Sequence, residues 1–302
     1  MTAPSTLLDP EFIRELEALR RRLEVRARSG RWGDRTARRR GGSAEFQEHR
    51  AYTAGDDLNR IDWAAFARTG EPVLKLFRAE EDAIVRLLLD ASASLDFGDP
   101  QKIEVARRLA AAVAYMALAG SQRAQVLVAR DRMGAGELNT SLDRIGTPRR
   151  GRAGLPALLR DLAQAQAGGR LDLPHAIDQT LARSTRPGLL VVLSDFFDAG
   201  PVLTALTRAR SAGHDVSLVH VVDRLELEPR FEGDFTLDDA ETGATLDVTM
   251  DPSAIEAYVL RFAGLVEELR AWSRKHGASY IRSVTDEPLE GAIRRFVART
   301  ID

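Results

Sequence analysis

Ile84-Val85-Arg86-Leu87-Leu88-Leu89-Asp90-Ala91-Ser92-Ala93-Ser94 is the stretch on which the reading of this 302-residue chain turns. A short, mostly aliphatic run bounded by a polar turn predicts a strand buried on both faces, as in a parallel sheet. The run stops at a carboxylate, and a hydroxyl follows at each second position. Alternate residues of an extended segment project the same way, so Asp90, Ser92 and Ser94 can converge on one point.

A second strand of the same kind lies about a hundred residues on, where Leu189-Leu190-Val191-Val192-Leu193 runs into Ser194-Asp195. Around these two the pattern is regular. Strands are predicted at 124–129, 216–222 and 279–284. Helices are predicted from Asp99-Pro100 through Ala117, and at 155–165, 202–212, 255–276 and 288–297. Aliphatic strands alternating with amphipathic helices imply a doubly wound, mostly parallel α/β sheet covered on both faces. Residues 223–250 interrupt it: Phe235-Thr236-Leu237 and Thr245-Leu246-Asp247-Val248 flank a turn at 239–243 and read as a β-hairpin insert. No internal repeat is visible.

Upstream, Asp9-Pro10-Glu11 starts a helix with Phe12, Leu16, Leu19 and Leu23 on one stripe. The chain then becomes basic, with ten arginines from Arg20 to Arg40, and reaches Gly41-Gly42. The expected organisation is an amphipathic helix and basic linker over 1–41, a charged segment over 42–82, and the α/β domain over 83–302. The arginine run admits two readings: a solvated face with a linker, or a nucleic-acid-binding arm.

Composition narrows the chemistry. With 44% hydrophobic residues the chain can bury a sizeable core. Its 43 basic and 45 acidic residues leave no net field to attract nucleic acid or an acidic membrane. The absence of cysteine excludes a disulfide scaffold, thiolate metal ligation and a cysteine nucleophile. All basic residues are arginine except Lys75, Lys102 and Lys275. The first residues show no basic region followed by an apolar run, and the longest apolar stretch, 109–119, is far short of the roughly 20 residues a membrane helix needs. A cytoplasmic protein without membrane insertion is expected.

In an open α/β sheet, ligands sit beyond the carboxyl ends of strands where the winding reverses. Two strands ending in aspartate, with serines beside one of them, offer oxygen donors and neither imidazole nor thiolate. That set suits a hard cation such as Mg²⁺. The same residue types also cap helices at strand-to-helix turns. Catalytic patterns are missing: no Gly-x-Ser-x-Gly, His-Glu-x-x-His or Gly-Lys-Ser/Thr occurs. His49, His175, His214, His220 and His276 are dispersed.

Arg50-Ala51-Tyr52-Thr53-Ala54-Gly55-Asp56-Asp57, Arg60-Ile61-Asp62-Trp63 and Ala67-Arg68 together resemble the signature of the bacterial family catalogued as domain of unknown function 58. The likeness runs from about Gly42 to the C-terminus and includes Lys75 to Glu80, the Asp90 motif, Leu193-Ser194-Asp195-Phe196, Glu241-Thr242-Gly243 and Thr285-Asp286. The resemblance implies a von Willebrand A-like, Rossmann-type domain with a metal-ion-dependent adhesion site. In such sites the two serines hold the ion directly, the aspartates act largely through water, and a partner's carboxylate completes the shell. Asp90, Ser92, Ser94 and Asp195 take those places. It also implies a MoxR-type AAA+ ATPase as partner. One departure stands out: where the pattern supplies a threonine after a Gly-Gly pair, Gly168-Gly169 is followed by Arg170-Leu171-Asp172. Arg170 would repel or replace part of a cation, and Asp172 would compensate, so Mg²⁺ is expected to bind weakly.

The expected function is therefore a non-enzymatic adaptor. Nucleic-acid binding through the arginine segment, or metal-dependent hydrolysis using Asp90 and Asp195, are the alternatives. Arg50, Asp56, Asp57, Arg60, Asp62 and Arg68 are expected to form a structural ion-pair network, and Trp63 to be a buried anchor.

Overall fold

A computed structural model describes residues 7, 13–14, 17–18, 44–53, 56, 61–79, 84–120, 122–131, 140–197, 199–230, 233–241 and 243–301. The arginine run at 20–40 and the stripe of Phe12, Leu16, Leu19 and Leu23 lie outside them. Two compact units emerge, Ser29–Asp82 and a larger one of Met1–Arg28 with Ala83–Asp302. Leu7 is buried in the larger unit's core and Ile13 packs against it.

In the smaller unit, β1 (Ala44–Ala51) pairs antiparallel with β2 (Val73–Ala79), with a bulge between Phe46 and Glu48. Between them lies α1 (Trp63–Thr69). Asp62 starts this helix by accepting hydrogen bonds from the backbone of Ala64 and Ala65, both at 3.1 Å, and Gly70 ends it in the left-handed conformation with φ 72°. Arg50 meets Asp56 at 2.7 Å on the surface, Asp62 serves as a cap, and Arg68 is exposed in the helix's last turn. Asp57 and Arg60 lie outside the described residues. Trp63 is 61% exposed, with only the edge of Phe66 beside it among described rings, so it is not the buried anchor expected. As the first residue of a short helix, it points away from the face that buries Ala65.

The larger unit contains β3 (Ile84–Asp90), α2 (Lys102–Ala119), β4 (Arg123–Asp131), β5 (Thr140–Ile145), β6 (Arg149–Arg150), α3 (Leu155–Ala163), α4 (Leu173–Ala182), β7 (Leu189–Ser194), α5 (Ala199–Ser211), β8 (Asp215–Val222), the single turn α6 (Arg224–Leu227), β9 (Gly233–Asp238), β10 (Thr245–Met250), α7 (Pro252–His276), β11 (Ser279–Val284) and α8 (Leu289–Ile301). The main sheet has the order β11-β8-β7-β3-β4-β5, with β6 also on β4. Counted along the chain, the six principal strands run 3-2-1-4-5-6, the doubly wound order. Pairs among β3, β4, β7, β8 and β11 are parallel, while β5 and β6 return antiparallel to β4. This is the mostly parallel, doubly wound sheet that the alternation implies. β9 and β10 form a separate antiparallel ribbon, the hairpin insert.

Period-two alternation fills both faces. Leu87 and Leu89 enter one core with α2, α3 and α8, and Leu88 enters the other with α4, α5 and α7. Each of these leucines is completely buried, which is worth about 1.5–3 kcal/mol per side chain. Leu89 lies opposite Leu193, so β3 and β7 end side by side. The chain leaves β3 toward β4 on one side and returns at β7 on the other, which makes the β3–β7 crevice the point of reversal. No described helix is long and apolar enough to cross a membrane.

Candidate functional site

The β3 ladder delivers Asp90 to the crevice, where it is buried at 4% exposure. Its two oxygens are fully engaged. Oδ1 accepts the backbone N–H of Ser92 at 2.9 Å and the Ser92 hydroxyl at 2.7 Å, and Oδ2 accepts the Ser194 hydroxyl at 2.6 Å. Burial pushes the carboxyl up to about 6, the nearby Asp195 charge adds to this, and the serine donors pull the other way.

Ser92 Oγ lies 3.0 Å from Ser94 Oγ. Because Ser92 donates to Asp90, its lone pairs remain for a proton from Ser94 or for a cation. Two adjacent oxygens of an octahedral shell at about 2.1 Å from Mg²⁺ are about 3.0 Å apart. The serine pair is thus spaced like one edge of that shell, and the donor set fits a hard cation. Among the described residues no group of three or more His, Asp or Glu side chains could hold a metal by itself, so ligation here depends on the serine hydroxyls and on water.

Asp195 follows β7 and faces the same crevice. It is aimed by a local strain: Phe196, the next residue, is buried with φ 51°, an uncommon conformation for a bulky side chain. That turn is held by the Phe196 N–H donating to Ser194 Oγ at 3.1 Å, so one serine fixes both acids. Beneath it, the backbone of Asp195 accepts from the His220 ring, whose Nδ1 lies 2.9 Å from the Tyr280 hydroxyl. Burial, then the positive charges of Lys102 and Arg282, hold His220 down at about 3. It is a neutral support at physiological pH.

One Asp195 oxygen is already taken. Lys102 Nζ donates to Asp195 Oδ2 at 2.9 Å and to Glu226 Oε1 at 2.7 Å, with the lysine side chain 1% exposed. Burial works against the ammonium, but Asp195 and then Glu226 outweigh it and raise its pKa. Glu226 also accepts the Asp223 N–H at 2.7 Å, closing a capping box on α6. Sequence reasoning missed Lys102, Glu226 and Ser194. The box Asp223-x-x-Glu226 was a readable signal, and so was a lysine in an arginine-dominated chain.

The Gly-Gly loop is joined to the site by backbone alone. Gly168 N–H donates to Ala91 at 3.0 Å, and Ala93 N–H donates to Gly169 at 2.9 Å. Arg170 therefore stands beside the Asp90 loop, exposed, and among the described residues it makes no salt bridge. The Asp172 carboxylate caps α4 by accepting the His175 N–H at 2.9 Å. Glu241, in the hairpin turn, is partly buried where β9 before it is exposed. Burial, then the charges of Asp90, Asp195 and Asp239, lift it to about 7, and Arg170 opposes them.

The geometry can hold a cation and the group it bridges. Ser92 and Ser194 both donate to Asp90, which fixes the two hydroxyls on the one carboxylate.

A sequence model of the family described as "Protein of unknown function DUF58" matches residues 48–263. "Uncharacterized protein Rv1480" of Mycobacterium tuberculosis is 32% identical over 296 residues, which cover 96% of this chain and 90% of that protein. "Uncharacterized protein MAV169" of Mycobacterium avium is 33% identical over 153 residues, 49% of this chain and 89% of its own. Among solved structures, the conserved hypothetical protein BatB of Bacteroides thetaiotaomicron is similar at 15% identity and a TM-score of 0.41, covering 73% of this chain and all of that one. A von Willebrand factor type A protein of Catenulispora acidiphila is similar at 12% identity and a TM-score of 0.37, covering 73% of this chain and 43% of its own.

Proposed function

This chain belongs to the DUF58 family of proteins of unknown function, and we propose that it is a non-enzymatic binding protein whose Asp90 face captures an acidic side chain of a partner through a divalent cation. The observation that carries this reading is the convergence of Asp90, Ser92, Ser94 and Asp195 at the winding reversal, with the serine oxygens spaced as an octahedral edge. Ser92 and Ser94 would hold Mg²⁺ directly. Asp90 would act through Ser92 and water, and Asp195 through its remaining oxygen. The ion supplies a positive centre for a carboxylate. The chain's own residues fix the hydroxyls, exclude bulk water from Asp90 and aim Asp195.

The partner that the family resemblance suggests is a MoxR-type AAA+ ATPase, met in the cytoplasm. The deciding experiment is a binding assay between the purified protein and such an ATPase, with Mg²⁺ and with EDTA. Association should require the cation and should be lost in Asp90→Ala and Ser92→Ala. Equal binding by the wild type, both variants and the chelated protein would show that this face is not the interface.

A further inference from the structure

Lys102 sits where helix chemistry disfavours it. It is the first residue of α2, at the positive end of the helix dipole, yet it carries a positive charge and is 1% exposed. A residue that breaks a local rule at a site is best explained by the site. Its ammonium is clasped by Asp195 at 2.9 Å and Glu226 at 2.7 Å. The rings of Phe97 and Phe197 lie 5.8 and 4.9 Å from it, and both rings are substantially exposed. The aromatic pair covers the ammonium on the solvent side, which keeps its charge within the site and in a medium of low polarity.

We propose that Lys102 sets the charge of the Asp90 site: it competes with a divalent cation for Asp195, and it leaves the loaded site neutral so that an anionic side chain can approach. This rests on the cation-bridging reading above. Asp90, Asp195 and Glu226 carry three negative charges and Lys102 one positive, a net of two that a single divalent ion cancels. Without the lysine, the same ion would leave one negative charge facing the partner's carboxylate. Glu241 and Arg170 also face this region with opposite charges. Glu226 is the counterweight. When an ion draws on Asp195, the ammonium can lean on Glu226, which is fixed by its capping bond to Asp223.

The test is Mg²⁺ titration calorimetry on the full chain, with Mg²⁺ alone as probe. Lys102→Met should tighten Mg²⁺ by about tenfold or more, because a competing unit charge a few ångströms away is removed. Glu226→Gln should weaken it by a similar factor, because the ammonium then leans wholly on Asp195. Lys102→Arg should stay near the wild type. Opposite shifts in the first two variants are the signature of charge-setting. A clamp that merely joins α2 to α6 would lower the melting temperature in both and leave the affinity of the folded protein unmoved, and that result overturns the proposal. Glu226 is nearer the surface, so its variant decides the matter if Lys102→Met does not fold. Wild-type binding that Asp90→Ala abolishes, with no opposed shifts, sinks this inference alone. Absence of Mg²⁺ binding by the wild type sinks the cation-bridging reading with it.

Discussion

Ser194 donates its hydroxyl to Asp90 at 2.6 Å while accepting the backbone N–H of Phe196 at 3.1 Å, so a residue at the end of β7 orients the acid at the end of β3 and the turn that carries Asp195. Ser194→Ala removes the donor from one Asp90 oxygen and the acceptor from a buried N–H. It should cost about 1–3 kcal/mol in chemical denaturation. It should also raise the pH at which Asp90 ionises, because this hydrogen bond favours the charged form. An unchanged denaturation midpoint would remove Ser194 from this role.

Asp90→Asn should stabilise the protein at neutral pH even as it abolishes Mg²⁺ binding. Burial raises the Asp90 carboxyl to about 6 in the folded state, above its value of 3.8 when unperturbed. The native state then binds the proton more tightly than the unfolded state, and stability falls as pH rises between those values. The asparagine variant carries no such penalty. Its advantage should be absent near the lower value, grow between the two and reach a plateau above pH 6, on the order of 2–3 kcal/mol. Thermal melts across this range, without divalent ions, check the slope.

Protons and Mg²⁺ should compete at this face. Asp90 at about 6 and Glu241 at about 7 both gain negative charge as pH rises, so affinity should climb through that interval and level off above it. Glu241→Gln should remove the upper part of the climb and leave the part due to Asp90. Calorimetry at closely spaced pH values reads this directly. A Glu241→Gln profile that overlays the wild type would show that the hairpin turn does not sense the ion.

Arg170 should be a minor influence. It lies beside the Asp90 loop, but it is exposed and solvent screens it. Arg170→Ala should tighten Mg²⁺ by less than about tenfold at physiological salt, with the difference shrinking as salt is raised. If the variant instead loses the ATPase while EDTA has no effect on the wild type, the guanidinium is the anchor and no ion is involved.

What could be read in advance follows from where each element is buried. β3, β7 and β8 stand out as aliphatic runs because both of their faces are covered. β5 and β6 did not. They close an edge of the sheet and are written in polar residues, Thr140-Ser141-Leu142-Asp143-Arg144-Ile145 and Arg149-Arg150, which carry no such run. α4 is harder to read for a different reason: Asp172 and Pro174 are a capping residue and an early-helix proline, but the aspartate stands beside the Gly-Gly pair and competes for a role near a metal. At the site, Asp90, Ser92 and Ser94 are close in sequence and legible as a group. Lys102 and Glu226 are 124 residues apart, and no local pattern joins them. An aromatic amid charged residues suggests an anchor, but Trp63 opens a short helix whose geometry turns it outward.

The pairing of Ser194 with Asp90 spans 104 residues, and that of Lys102 with Glu226 spans 124. Such distances have a consequence in time. A chain emerging from the ribosome can complete α2, β4 and the β5 edge while Asp90 still lacks its serine partner from β7, and Lys102 remains without its second acid until Glu226 has followed. Contacts this distant form late, once the intervening chain has been made and closed on itself. On the proposed reading, competence to bind would therefore be acquired only once β7 and α6 have been made, and a product that stops short of β7 would lack a complete site.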